Sequence, residues 1–172
     1  MQIIIDELHF NNKLVESLLY NYNKDLYKLT SELMMDWDEL AELSNHPLST
    51  IGLHGKRHIP YSFLNKTQIS EDITESKTLL EKKIKCKVKH FAYPLGGKKY
   101  ICGNGISDLK KNGIISAVTA VNGFLTEFEL NNLTIIPRIE VSGNIGNNLY
   151  SYLDLQISGL LPYLDNLKKY IK

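Results

Sequence analysis

Ser49-Thr50-Ile51-Gly52-Leu53-His54 is a short β-rich run, a helical stripe follows from Thr67 to about Ile84, and Val88-Lys89-His90-Phe91-Ala92-Tyr93-Pro94 is a second β-rich run. This succession decides the fold class. Two strands joined by a long helix cannot form a hairpin; they pair in parallel through a right-handed crossover. The helix places Ile69, Ile73, Leu80 and Ile84 on one face. Ser70, Glu71 and Asp72 fall near its start, where negative charge suits the macrodipole. Pro94, Gly96 and Gly97 close the second strand.

Towards the N-terminus, Asn11 to Thr30 carries Leu14, Leu18, Leu19, Tyr22, Leu26 and Leu29 at steps of three and four, the stripe of an amphipathic helix. A second helix starts at Asp36-Trp37-Asp38-Glu39, a capping box in its Asp form, and ends at Pro47. Towards the C-terminus, Ser107 to Asn112 reads as a helix stopped by Gly113 and Ile114 to Val121 as a strand. Asn122-Gly123 reads as a turn and Leu133 to Ile139 as a last strand around Pro137. Tyr150 to Lys172 is a weakly amphipathic helix interrupted at Pro162. The class is α/β, in one domain.

Composition agrees with a globular domain: 172 residues, 43% hydrophobic and 23% charged. Such a length buries roughly 70% of the unfolded surface, enough to fold without a disulfide or a structural metal. Lys plus Arg is 20 against 19 for Asp plus Glu, a net charge of +1 that gives no reason to expect a nucleic acid or an anionic membrane as partner. Lys82, Lys83, Lys85, Lys87 and Lys89 read as a solvated surface. Cys86 and Cys102 lack C-x-x-C spacing and read as buried free thiols. Met1 to Phe10 has no basic n-region, and no run approaches the ~20 apolar residues of a membrane span, so the chain as written is expected in the cytoplasm.

Chemistry gathers at the C-terminal ends of parallel strands, and two loops occupy such ends. His54-Gly55-Lys56-Arg57-His58 offers two imidazoles that converge on one divalent ion if the segment turns. Surface or capping histidines are the alternative. Lys56 and Arg57 are long enough to point away from a cation. Phe91-Ala92-Tyr93-Pro94-Leu95-Gly96-Gly97 is either a plain Gly-rich turn or one whose backbone N–H groups form an oxyanion hole. Trp37 reads as a core residue or a sugar-stacking one, and Arg138 as a site residue or the partner of a local acid such as Glu140.

Taken together, Met35-Asp36-Trp37-Asp38-Glu39-Leu40, Leu48 to His54 with His58, the helix Glu71 to Glu81, Phe91 to Gly96, Ile136-Pro137-Arg138-Ile139 and Gly143-Asn144 resemble the polysaccharide deacetylase family, the NodB-homology domain of carbohydrate esterase family four. The resemblance implies a partial or deformed (β/α) barrel with mostly parallel strands. It also implies metal-dependent hydrolysis of N-acetyl groups on a sugar polymer. His54 and His58 match the family's metal-binding histidines, for a divalent ion that is usually zinc. Leu95 matches the residue whose backbone N–H forms the oxyanion hole, Arg138 an arginine that orients the catalytic carboxylate, and Tyr93, Pro94 and Trp37 candidate substrate contacts.

The family's Thr-Phe-Asp-Asp-Gly motif is absent, and no Asp-Asp pair occurs in the chain. Asp6, which ends the apolar run Ile3 to Ile5, is a candidate third metal ligand, but no apolar second strand follows it, and Ile4-Ile5-Asp6-Glu7-Leu8 reads instead as the start of a helix-rich insertion. On this reading 35–144 is the family-like core of an N-terminally truncated domain, 1–34 a helix-rich insertion and 145–172 a helical tail. Two imidazoles without the carboxylate imply weak metal binding and slow or absent deacetylation. The alternatives are an inactive relative that binds carbohydrate or a partner, and the C-terminal part of a larger deacetylase, whose exposed sheet edges would favour self-association.

Overall fold

The computed structural model describes residues 26–139 and 149–159, together with Ser17 and Tyr20. They belong to two compact units, one comprising Met1–Thr50 and Glu81–Cys86, the other Ile51–Leu80 and Lys87–Lys172.

In the first unit lie α1 (Leu26–Leu33) and α2 (Trp37–Ser44). The Asp36 box forms as its spacing predicts. Asp36 Oδ1 accepts from Asp38 N at 2.9 Å and Glu39 N at 2.8 Å, while Glu39 Oε2 accepts from Asp36 N at 2.8 Å. Asn45 caps the other end, so α2 stops before Pro47. No residue of α2 is buried, and the cap is therefore its main local support. Asp36→Ala is expected to cost about 1 kcal/mol, read as lost helicity and a lowered urea midpoint; an unchanged midpoint would show the box to be incidental. Of the helix expected over Asn11 to Thr30, the described part continues to Leu33; most of the rest lies outside the described residues.

The long helix α3 (Lys66–Ile84) begins one residue before its expected start. Asn65 and Gln68 exchange side-chain and backbone hydrogen bonds of 2.9 and 3.0 Å, another capping box. The second unit holds a parallel sheet in the order β1 (His90–Ala92), β2 (Ser116–Asn122), β3 (Ile136–Arg138). β1 and β2 are joined through α4 (Gly103–Lys111), and β2 and β3 through α5 (Glu127–Leu130). The alternation is consistent with part of a (β/α) barrel. Phe91, Ala117 and Thr119, all at most 3% exposed, bury one face of the sheet, and with Ile69, Ile73 and Leu109 they form the core of this unit. The opposite face carries His90, Ala92, Ser116 and Val118, each half-buried.

Several elements differ from their expected bounds. The run Ser49 to Leu53 contributes only a single parallel bridge, Leu53 to Phe91. Gly52 sits where a Cβ would lie 3.2 Å from the His90 carbonyl oxygen, and a glycine without a side chain to pack weakens the strand it permits. Helix α4 starts at Gly103, four residues before Ser107, because Gly105 is not a breaker here. The Tyr61 ring occupies the place of its Cβ, 2.7 Å away. Gly113 ends α4 as expected, at φ +74°, with Ile114 N donating to Leu109 O and Gly113 N to Lys110 O, the Schellman pair. That pairing holds Ile114 to the helix end and delays β2 to Ser116. Residues Leu133–Ile135 form a 3-10 turn, which shortens the last strand. Cys86 is exposed and Cys102 half-buried; both are free thiols. Helix α6 (Leu149–Ile157) ends near Gly159, and Pro162 lies outside the described residues.

Candidate functional site

The parallel sheet brings four segments to one edge: His54–His58 beyond Leu53, Tyr93–Gly97 beyond β1, Ala120–Asn122 at the end of β2, and Arg138 and Ile139 at the end of β3. His54 Nδ1 lies 2.8 Å from the Ala92 carbonyl oxygen. A carbonyl only accepts, so Nδ1 carries the hydrogen and the neutral ring keeps its lone pair on Nε2. A backbone carbonyl on the far nitrogen is how metal-ligating imidazoles are commonly oriented. The His58 ring packs edge-on against His54, with centroids 4.7 Å apart and planes at 63°. His58 adopts φ +54°, a left-handed conformation that costs a non-glycine residue roughly 1–2 kcal/mol.

Lys56 and Arg57 both turn towards α3. Lys56 Nζ is 2.8 Å from Glu75 Oε2, and Arg57 Nε is 3.4 Å from Asp72 Oδ1. The Lys56 hydrogen bond and charge hold the Glu75 carboxyl below its ordinary range. The loop's two cations thus pair with acids of α3. Two imidazoles, one with its tautomer set, suit zinc or a similar borderline ion. They fit two positions of its coordination sphere; among the described residues no third His, Cys, Asp or Glu joins them. Asp6 lies outside the described residues.

Beyond β1, Leu95 and Gly96 take φ +56° and +54°, a consecutive left-handed pair of the kind found in primed turns. Ala120 N donates to Gly96 O at 2.8 Å. Among the described residues no acceptor takes up the Leu95 N–H. Tyr93 is 2% exposed and its hydroxyl donates to Thr134 O at 2.9 Å. Burial pushes its phenol well above the ordinary range. Pro94 is fully buried as well. Both side chains, the expected substrate contacts, are buried, as is Gly96, and Leu95 is half-buried.

The polysaccharide deacetylase family model matches residues 11–113. The chain belongs to the polysaccharide deacetylase family. Its fold is similar to that of the deacetylase PplD of Streptococcus pyogenes, solved in complex with acetate, at 18% identity and a TM-score of 0.58, over 80% of this chain and 62% of that one. It is also similar to IcaB from Ammonifex degensii, at 19% identity and a TM-score of 0.57, over 72% and 53%. A polysaccharide deacetylase from Bacillus cereus matches at 23% identity and a TM-score of 0.53, over 61% and 32%. The chain thus spans less than two thirds of each of these proteins. No curated protein sequence matches it significantly.

Within this deacetylase fold, Arg138 is exposed at the end of β3 and lines a cleft of about 290 Å³ with Ala120, Asn122 and Ile139. Ala120 is also the residue bonded to Gly96, so the cleft adjoins the Leu95 turn. Glu140 lies outside the described residues. Trp37 belongs to the first unit, 42% exposed rather than core, with Lys83 Nζ 5.2 Å from its ring centroid. One group escaped the sequence reading. Near the start of α3 the Asp72 charge suits the macrodipole, yet the residue is 2% exposed and touches the histidine loop. Its spacing of three from Ile69 puts it on the apolar stripe, and an acid on a buried stripe was the available signal.

Proposed function

We propose that the chain is a deacetylase-like hydrolase acting on N-acetyl groups of a sugar polymer. In this reading His54 and His58 hold a divalent ion, the Leu95 N–H serves as oxyanion donor, and Arg138 lines the substrate cleft. The observation that carries it is the His54 ring, whose Nδ1–H is committed to Ala92 O so that Nε2 presents a lone pair beside His58. When bound, such an ion supplies Lewis-acid polarisation of the acetamide carbonyl and lowers the pKa of water. Ala92 fixes the ligand tautomer, and Gly96 with Ala120 holds the Leu95 amide in place for a developing oxyanion.

Two imidazoles leave zinc one protein ligand short of the usual catalytic three. Among the described residues no third His, Cys, Asp or Glu joins the pair, which supports a second reading, a relative that binds the sugar without turning it over. Zinc titration and acetate release from chitin-type oligosaccharides separate the two. Weak zinc binding, lost in His54→Ala, with slow acetate release supports the hydrolase. Oligosaccharide binding without any acetate release, in the presence of zinc, would favour the binding relative. A full equivalent of zinc surviving dialysis would show that a third ligand comes from elsewhere in the chain, Asp6 being the first to replace. No zinc binding at all would sink the metal assignment.

A further inference from the structure

The histidine loop is wound around a single buried carboxylate. Asp72 Oδ2 accepts from Lys56 N at 3.1 Å and lies 3.4 Å from the Tyr61 hydroxyl, while Oδ1 is 3.4 Å from Arg57 Nε. Gly55, at φ +74°, passes so close that a Cβ there would lie 2.8 Å from Oδ2. Gly55, Lys56, Arg57 and Tyr61 therefore all meet one side chain, itself held on α3 between the buried Ile69 and Ile73. His54 and His58 sit at the two ends of the segment bent in this way, and the His54 ring is tied to β1.

The geometry points to Asp72 as the positioning residue of the imidazole pair: by anchoring Lys56 N it sets the curvature that keeps His58 against His54. This rests on the reading of the pair as ion ligands only for its consequence, not for its geometry. Removing the carboxylate leaves the Lys56 N–H without its acceptor, and the loop is free to open towards water. Asparagine at 72 keeps an oxygen for Lys56 N. The exposed Arg57 side chain can swing away from the new amide. The acceptor, rather than the charge, is the required feature.

The test uses the metal-free chain first. In wild type, ring-proton NOEs between His54 and His58 are expected from centroids 4.7 Å apart. Asp72→Ala should abolish them while the His54 Nδ1–H tautomer and the His90 resonances stay as they were; Asp72→Asn should retain them. Gly55→Ala, which pushes on the same oxygen, should weaken them. In cobalt(II) titrations Asp72→Ala should then bind at least about tenfold more weakly, and Asp72→Asn within about threefold of wild type. NOEs that persist in a folded Asp72→Ala chain would overturn the assignment. So would their loss in Asp72→Asn. If wild type shows the NOEs, and Asp72→Ala loses them, but neither binds cobalt, the positioning stands and the ion-ligand reading falls.

Discussion

Gly96→Ala is expected to destabilise the second unit by about 3 kcal/mol, combining a left-handed alanine with a clash that side-chain motion cannot relieve. The new Cβ would lie 2.6 Å from the backbone nitrogen of Ala120 and 3.1 Å from its Cβ. Backbone must therefore move, and the Ala120 N–H to Gly96 O bond is the first to go. Neighbouring glycines give the contrast. At Gly97 a Cβ meets only the Tyr100 ring at 3.3 Å, from an ordinary φ of −67°, so Gly97→Ala should cost less than about 1 kcal/mol. At Gly103, the first residue of α4, nothing lies within 4 Å, and alanine should stabilise by about 0.5 kcal/mol. Urea midpoints of the three variants decide the matter; a Gly96→Ala midpoint equal to that of Gly97→Ala would refute the close approach. For function the consequence is specific. Leu95 keeps its left-handed conformation because Gly96 fits under β2, so losing that fit should displace the amide assigned to the oxyanion.

A second large effect is expected in alkali. Burial, and for Tyr61 also the neighbouring Asp72 charge and hydrogen bond, raise the Tyr61 and Tyr93 phenols well above their ordinary range. Unfolded, both ionise near pH 10. Above that pH the unfolded chain holds fewer protons than the folded one, so stability is full below about pH 10 and falls as pH rises. Each tyrosine's slope approaches about 1.4 kcal/mol per pH unit only above pH 11, so the pair together lose roughly 2 kcal/mol between pH 10 and 11. Tyr93→Phe should remove about half of that slope, although it also strands the Thr134 carbonyl and costs some stability at neutral pH. Urea midpoints measured at pH 9, 10 and 11 give the slope directly. Equal slopes in wild type and Tyr93→Phe would mean that the Tyr93 phenol ionises freely in the folded state.

What was legible in the residues follows the range of the interactions concerned. The box at Asp36 and Glu39 and the stop at Gly113 depend on groups within a few positions of one another, and both formed as read. Parallel pairing was legible too, since a long helix between two strands excludes a hairpin. Strand lengths were not. Ser49 to Leu53 is as β-rich as β1, but what remains of it is a single bridge beside Gly52. At the start of α5, Glu129 Oε2 accepts from Thr126 N, and the T-x-x-E spacing that makes this contact is local and legible.

The sequence by itself determined the class, the strand-end positions of both loops and the resemblance to the deacetylases, because periodicity, capping and motif order are local properties of the chain. Only the tertiary structure decided which His54 nitrogen holds the proton, since the carbonyl that chooses it stands on a strand 38 residues away. The same holds for Asp72, whose role depends on a loop folding back over it, and for Leu95, held left-handed where Gly96 passes under Ala120. A buried carboxylate, a tautomer and a strained turn each need partners distant in sequence, and packing is what brings those partners within reach.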